Sequence, residues 1–267
     1  MLDLSQKGFK TKANLQSLAP SIFTTVPSSS VTDKYTHIPT EVIIDDMEKM
    51  GWGVVDAKEV KARTAGTRNV QKHLVVFRNP EIAIEGEGGD DVFPQILLTN
   101  SHDGKNAFTF TAGLFRMVCE NGLVISTQEF EKVKIRHMGY TFEALQVRIK
   151  EMVEKLPLTV ESMNKMIATP LETKDAIKFA KASLGLRFGD DLKNIKIDYK
   201  DFLTPVRKED EGDNLWKVFN VVQEKLITGD FDYEAGGKSR KAREIKNFNQ
   251  DMKLNSELFD LALEYVN

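Results

Sequence analysis

With 267 residues, 41% of them hydrophobic and 9% aromatic, the chain can build a sizeable core and is not intrinsically disordered. A formal charge of −3 excludes a globally basic molecule, so any grip on nucleic acid must come from a local patch. A single cysteine, Cys119, excludes an intrachain disulfide and suits a reducing cytoplasm, and no apolar run approaches the ~18 residues of a membrane span.

Residues 1–38 are rich in Ser, Thr, Lys and Pro ("APSIFTTVPSSSVTDKYTHIP") and read as an extended N-terminal arm. The opening "MLDLSQKGFKTKANLQS" lacks the apolar region of a secretory signal. "TEVIIDDMEKMG" then predicts a helix, with Ile43, Met47 and Met50 on one face, acids at its start and Gly51 at its end. "WGVVDAKEV" and "VQKHLVVF" read as strands joined by the loop "KARTAGTRN". After an acidic glycine loop, "QILLTN" and "AFTFTAG" flank Asp103-Gly104, a strong hairpin signal. "LVIST" and "KVKIRHM" predict two further strands.

Past "HMGY" (137–140) the pattern turns helical. Phe142, Leu145, Ile149, Met152 and Val153 form one stripe, and Pro157 predicts an end or kink. "TVESMNKMIA", "TKDAIKFAKASLGL", "NLWKVFNVVQEKLITG" and "NSELFDLALEYV" continue the helices, with no internal repeat. The expected fold is α+β. An antiparallel β-rich region with one leading helix (39–139) is followed by a mostly helical half (140–267) packed on it as one unit.

Four stretches occurring in order carry a family resemblance. They are "TNSHDGKNAFTFTAGLFRMVCENGLV" (99–124), "IRHMG" (135–139), "LWKVFNVVQEKLITGDF" (215–231) and "KSRKAREIKNFNQDMKLNSELFDLA" (238–262). Together they resemble the phage/plasmid-like proteins grouped as domain-of-unknown-function family 932, over roughly residues 40–265. The resemblance implies an origin in a mobile genetic element and, for a phage-encoded protein, the host cytoplasm. It supplies no catalytic residue.

Chemical function must therefore be sought in the residues. His102-Asp103, with His137 nearby in the expected sheet, could form a metal-dependent nuclease or hydrolase centre. A Cys119–His pair could supply a nucleophile. Yet Asn, Ser, Asp and Gly are what turns use, and a free cysteine in "LFRMVC" is more often core, so the hairpin reading is preferred to a catalytic one. "GGKSRK" (236–241) imitates the end of a phosphate-binding loop, but position 232 is Asp where that motif needs glycine. No cofactor or metal is expected.

Charge is strongly segregated. Residues 58–78 hold six Lys/Arg and one acid, residues 236–246 five and one, and residues 81–91 five acids and no base. A basic hairpin and a basic helix start could each clamp phosphates while a sheet face offers aromatics to bases. The phosphate-clamp set is Lys61, Arg63, Arg68, Lys72, Lys238, Arg240, Lys241 and Arg243. The favoured reading is a non-enzymatic nucleic-acid-binding protein, with single-stranded DNA as one form of ligand and a homo-oligomer as one form of assembly. Two alternatives stay open: the metal-dependent hydrolase using His102, Asp103 and His137, and a host-protein interaction factor using the acidic loop 85–91. No membrane partner is expected. The "LWKVFNVVQEKL" stripe (Leu215, Val218, Phe219, Val222, Leu226) and Leu258, Phe259, Leu261, Ala262 and Val266 read as packing, with Asn220 and Gln223 as polar anchors within it.

Overall fold

The computed structural model describes residues 8–32, 35–62, 64, 68–82, 92–106, 108–116, 122–124, 133–135 and 141–266. They fall into two compact units, the first drawn from residues 1–85, 91–115 and 128–156 and the second from 86–90, 116–127 and 157–267. The fold class is α+β, as the sequence predicts.

In the first unit the N-terminal segment departs from the extended arm expected of it. Lys12–Leu18 form helix α1, and Pro20–Phe23 form a 3-10 turn. The start of α1 is a capping box with Asn in place of the usual Glu or Gln. Thr11 Oγ1 accepts from the Asn14 amide at 3.3 Å while Asn14 Oδ1 accepts from the Thr11 amide at 3.0 Å. Four apolar residues, Phe9, Leu15, Ala19 and Ile22, are buried although their spacing follows no regular period. Phe9 lies so close over Gly53 that a β-carbon there would stand 2.3 Å from its ring, and the Lys10 amide donates to Val54 O at 2.7 Å. The segment is layered onto the sheet, and tertiary burial rather than local periodicity makes it helical.

Helix α2 (Thr40–Lys49) buries Ile43, Ile44 and Met47, and Gly51 follows it with φ 84°. Strands β1 (Gly53–Glu59), β2 (His73–Arg78), β3 (Val92–Asn100) and β4 (Phe108–Arg116) lie side by side in that order, and β6 (Val133–Ile135) pairs antiparallel with β4. Strand β5 is Gly122–Val124. β2 is flanked by antiparallel neighbours on both sides, and its residues from His73 to Phe77 are all buried. Its run "HLVVF" is accordingly apolar rather than alternating. The register places His73 between Glu59 of β1 and Asn100 of β3.

Of the end or kink expected at Pro157, the end does not occur: helix α3 (Phe142–Ala168) runs through it and absorbs "TVESMNKMIA" as well. A proline inside a helix removes one backbone bond, at a cost of about 3 kcal/mol. The apolar stripe continues on both sides, with Leu145, Ile149, Met152, Met163 and Met166 all buried, and this burial is large enough to offset it.

The second unit contains α4 (Thr173–Phe188), α5 (Tyr199–Phe202), α6 (Leu215–Thr228) and α7 (Phe248–Leu263). Its core includes Phe179, Leu184, Phe219, Val222, Leu226, Leu258, Phe259 and Ala262. Asn220 and Gln223 are buried anchors as expected. Asn220 Nδ2 donates to Trp216 O at 2.7 Å, and Gln223 Nε2 to Asn255 Oδ1 at 2.8 Å. Sequence reasoning missed a small antiparallel sheet in this half: β7 (Ile195–Lys196), β8 (Asp232–Ala235) and β9 (Lys238–Lys241), in that order. The basic stretch read as a helix start is thus the second arm of a hairpin. The overlooked signal was Gly236-Gly237, a two-residue turn with φ 61° and 72° that twists to suit two strands. Among the described residues, no helix is long and apolar enough to cross a membrane.

Candidate functional site

Two constellations stand out, one in each unit. In the second unit, the β8–β9 hairpin sorts its charges by face. The pairs Tyr233↔Arg240 and Ala235↔Lys238 share one face, and Asp232↔Lys241 and Glu234↔Ser239 the other, because directly opposed residues project to the same side. All four residues of β9 are exposed. On the acidic face Lys241 Nζ lies 3.0 Å from Asp230, and Lys196 Nζ lies 3.6 Å from Glu234. The bond to Asp230 holds the Lys241 ammonium above its ordinary pKa. On the opposite face neither Lys238 nor Arg240 has an ion-pair partner among the described residues, and the pairing puts no carboxylate beside them.

That second face continues into an aromatic cluster. Tyr233 tilts against Phe188 with ring centroids 5.4 Å apart, Phe188 stands edge-on to Phe231 at 6.3 Å, and Phe231 edge-on to Phe202 at 5.0 Å. Phe202 and Phe231 are buried, whereas Phe188 and Tyr233 remain half-exposed. Arg187 lies over the rings of Phe188 and Phe231 and donates to the carbonyls of Leu226 and Arg243. Burial lowers its guanidinium below the ordinary arginine pKa. It is the framework arginine of this region, and it fixes the backbone of Arg243 just beyond β9. Gly229, the αL cap of α6, packs against the same backbone, while the Ala242 and Ile245 amides donate to Phe231 O and Ile227 O. The hairpin is therefore anchored at its base, and its basic strand is displayed to solvent.

In the first unit, three of the four histidines come together. His102 stacks edge-on to His37 with centroids 4.7 Å apart and lies 5.3 Å from the ring of His73. His73 is fully buried and joins four elements. Its Nδ1 is 3.0 Å from Ser21 Oγ and 3.1 Å from Gln71 O, and its Nε2 is 2.8 Å from Thr40 Oγ1, which also accepts from Asn100 Nδ2 at 2.9 Å. Burial pushes the His73 imidazole down to about 4, so it is neutral at ordinary pH, although the bond to Gln71 opposes the shift. The pattern fits the tautomer with the proton on Nδ1, facing Gln71 O, and Nε2 accepting from Thr40. His37 Nε2 donates to Thr24 O at 3.0 Å. The rings of His73 and His102 are closed to solvent, and the cluster clasps the N-terminal segment, α2 and the sheet together.

The remaining predicted residues are distributed as follows. His102 is fully buried, its backbone bonded to Val70 O and Ser28 N, and its ring meets His37 and His73. Asp103 accepts from Ser101 Oγ at 2.7 Å and from the Lys105 amide at 3.1 Å, the role of a turn aspartate. Tyr35, beside it, has its phenol pushed up to about 12, by burial first and then by Asp103. Lys61 and Arg68 are exposed, Lys72 is half-buried, and Arg243 is exposed past the end of β9. Arg63, Cys119, His137 and the acidic loop 85–91 lie outside the described residues. No group of three or more His, Cys, Asp or Glu side chains among the described residues is arranged to hold a metal ion.

Comparison with known proteins returns relatives of unassigned chemistry. The chain is 31% identical over 254 residues to the UPF0380 protein YafZ of Escherichia coli K12, and 30% identical over 253 residues to the UPF0380 protein YfjQ of the same strain. Each alignment covers 94% of this chain and 90% of the relative. No solved structure matches significantly. The model of the domain of unknown function DUF932 matches residues 27–259, spanning the histidine cluster and almost the whole second unit, and the chain belongs to that family.

Proposed function

We propose that this protein binds nucleic acid without acting on it as an enzyme, and that the β8–β9 hairpin is its principal contact. The observation carrying this reading is the sorting of charge on that hairpin. Lys238 and Arg240 project, without carboxylate partners among the described residues, on the face that leads to the half-exposed rings of Tyr233 and Phe188. Cations that track a phosphate backbone beside rings on which bases can stack are the two ingredients of sequence-tolerant binding. Lys241, balanced by Asp230, and the exposed Arg243 are secondary contacts. In the first unit Lys61, Arg68 and Lys72, with Arg63 outside the described residues, supply further phosphate contacts. The resemblance to phage/plasmid-like proteins supports a setting in mobile-element DNA metabolism.

The test is fluorescence anisotropy with labelled oligonucleotides across a salt series. Wild type should bind at low salt and weaken as salt rises. The double variant Lys238→Ala/Arg240→Ala should lose about tenfold or more in affinity, with a shallower salt dependence by roughly one to two phosphate contacts. Lys241→Ala, on the acidic face, should change affinity little. Absence of binding to any oligonucleotide at low salt would overturn the proposal.

A further inference from the structure

In the first unit a groove of about 490 Å³ opens between the N-terminal segment and the loop entering β2. Its volume lies within the ~300–1,000 Å³ of small-ligand sites and leaves no room for a duplex. Three chemistries line it. Phe23 presents a half-buried ring, and Arg68 an exposed guanidinium with no carboxylate partner among the described residues. Gln16, Thr25 and Asn69 present exposed amides and a hydroxyl. Among the described residues, no acidic side chain lines the groove. A flat ring with a polar edge, attached to an anion, satisfies all three at once.

The walls are held in place before any ligand arrives. Asn69 sits at φ 66°, the one positive-φ residue other than glycine among those described, and its carbonyl accepts from the Thr24 hydroxyl. The Thr24 carbonyl is in turn bound by His37 of the histidine cluster, and Val70 O accepts from the His102 amide at 3.1 Å. His37 and His102 thus serve as the rear support of the groove. A site whose walls are fixed by such contacts does not lose binding energy to ordering them.

We infer that this groove accepts one unpaired nucleotide, its base on Phe23 and its phosphate on Arg68, so that the preferred ligand is a single-stranded nucleic acid. The inference rests on the nucleic-acid reading above and specifies the form of the ligand. A base still paired in a duplex cannot enter, which makes Phe23 and Arg68 discriminating residues, in contrast to the hairpin cations, which grip any phosphate backbone.

The experiment compares oligo-dT, oligo-U of the same length and a blunt DNA duplex, in wild type, Phe23→Leu, Phe23→Tyr, Arg68→Ala and Lys238→Ala/Arg240→Ala. Thermal melting checks the folding of each variant. Wild type should prefer a single strand over duplex by about tenfold or more, and the two single-stranded arms decide between DNA and RNA. Phe23→Leu should lose about tenfold in single-strand affinity with duplex binding unchanged, while Phe23→Tyr, which keeps the ring, should retain it. Arg68→Ala should lose affinity for the single strand more than for the duplex. Equal binding of single strand and duplex, with no effect of Phe23→Leu or Arg68→Ala, overturns the inference even if the hairpin double variant abolishes binding. If the groove variants lose single-strand binding while the hairpin variant keeps it, the groove stands and the hairpin proposal falls.

Discussion

His73 shows how one buried side chain sets a pH response. The groups facing it are His102, Ser21, Thr40, the Gln71 carbonyl, Asn100 and the neighbouring strand residue Glu59. Its folded pKa is depressed from 6.5 to about 4, so between those values the unfolded chain binds the proton and the folded chain does not. The stabilisation is fully present above about pH 6.5 and is lost as pH falls towards 4, by up to about 3 kcal/mol. Urea titrations at pH 7.5 and 4.5 should show this fall, and His73→Gln, which hydrogen-bonds but does not titrate, should flatten it; a flat wild-type profile would refute the assignment. Gly229 is the second position where one residue decides much. It sits at φ 74°, and a β-carbon there would stand 2.5 Å from the backbone of Arg243. Gly229→Ala should cost at least about 2 kcal/mol in thermal unfolding, and should also weaken oligonucleotide binding because it displaces the base of the hairpin.

At the scale of elements, α1 tests whether the N-terminal segment belongs to the core. Leu15 is buried to 1% exposure, so Leu15→Ala should destabilise the protein by about 2–5 kcal/mol, as a core truncation does, where an arm residue would cost almost nothing. A change below about 0.5 kcal/mol would contradict the packing described. The helices with regular periodicity, α2, α4, α6 and α7, were legible in the sequence because their apolar stripes and end residues agree. Asn214, for example, caps α6 by accepting from the Lys217 amide at 2.9 Å. Helix α1 and the small sheet β7–β8–β9 were not legible. α1 has too few apolar residues to show a period, and the strand "KSRK" has none at all, being an edge strand whose four side chains all face solvent. Its existence depends on pairing with β8, which a pattern search along one segment cannot detect.

For the whole molecule, a net charge of −3 means that the proposed binding to nucleic acid would be carried by a few local cations working against the overall field. The salt dependence should therefore be modest. With Lys238 and Arg240 as principal contacts, joined by Lys61, Arg68 and Arg243, log affinity for a single strand should fall with log salt at a slope of roughly −2 to −4. A slope near zero would mean that phosphate contacts do not drive binding. The sequence by itself determined the α+β class, the family, the segregation of charge, and the hairpin role of Asp103-Gly104. Composition, periodicity and turn chemistry are local properties that one chain carries openly. Only the tertiary structure decided that His37, His73 and His102, far apart along the chain, form one clasp in which His73 and His102 are fully buried. It likewise split the basic stretch 238–243 between an acid-balanced face and an aromatic one. Both outcomes depend on strand register, which places distant residues opposite one another, and no spacing within either segment encodes it.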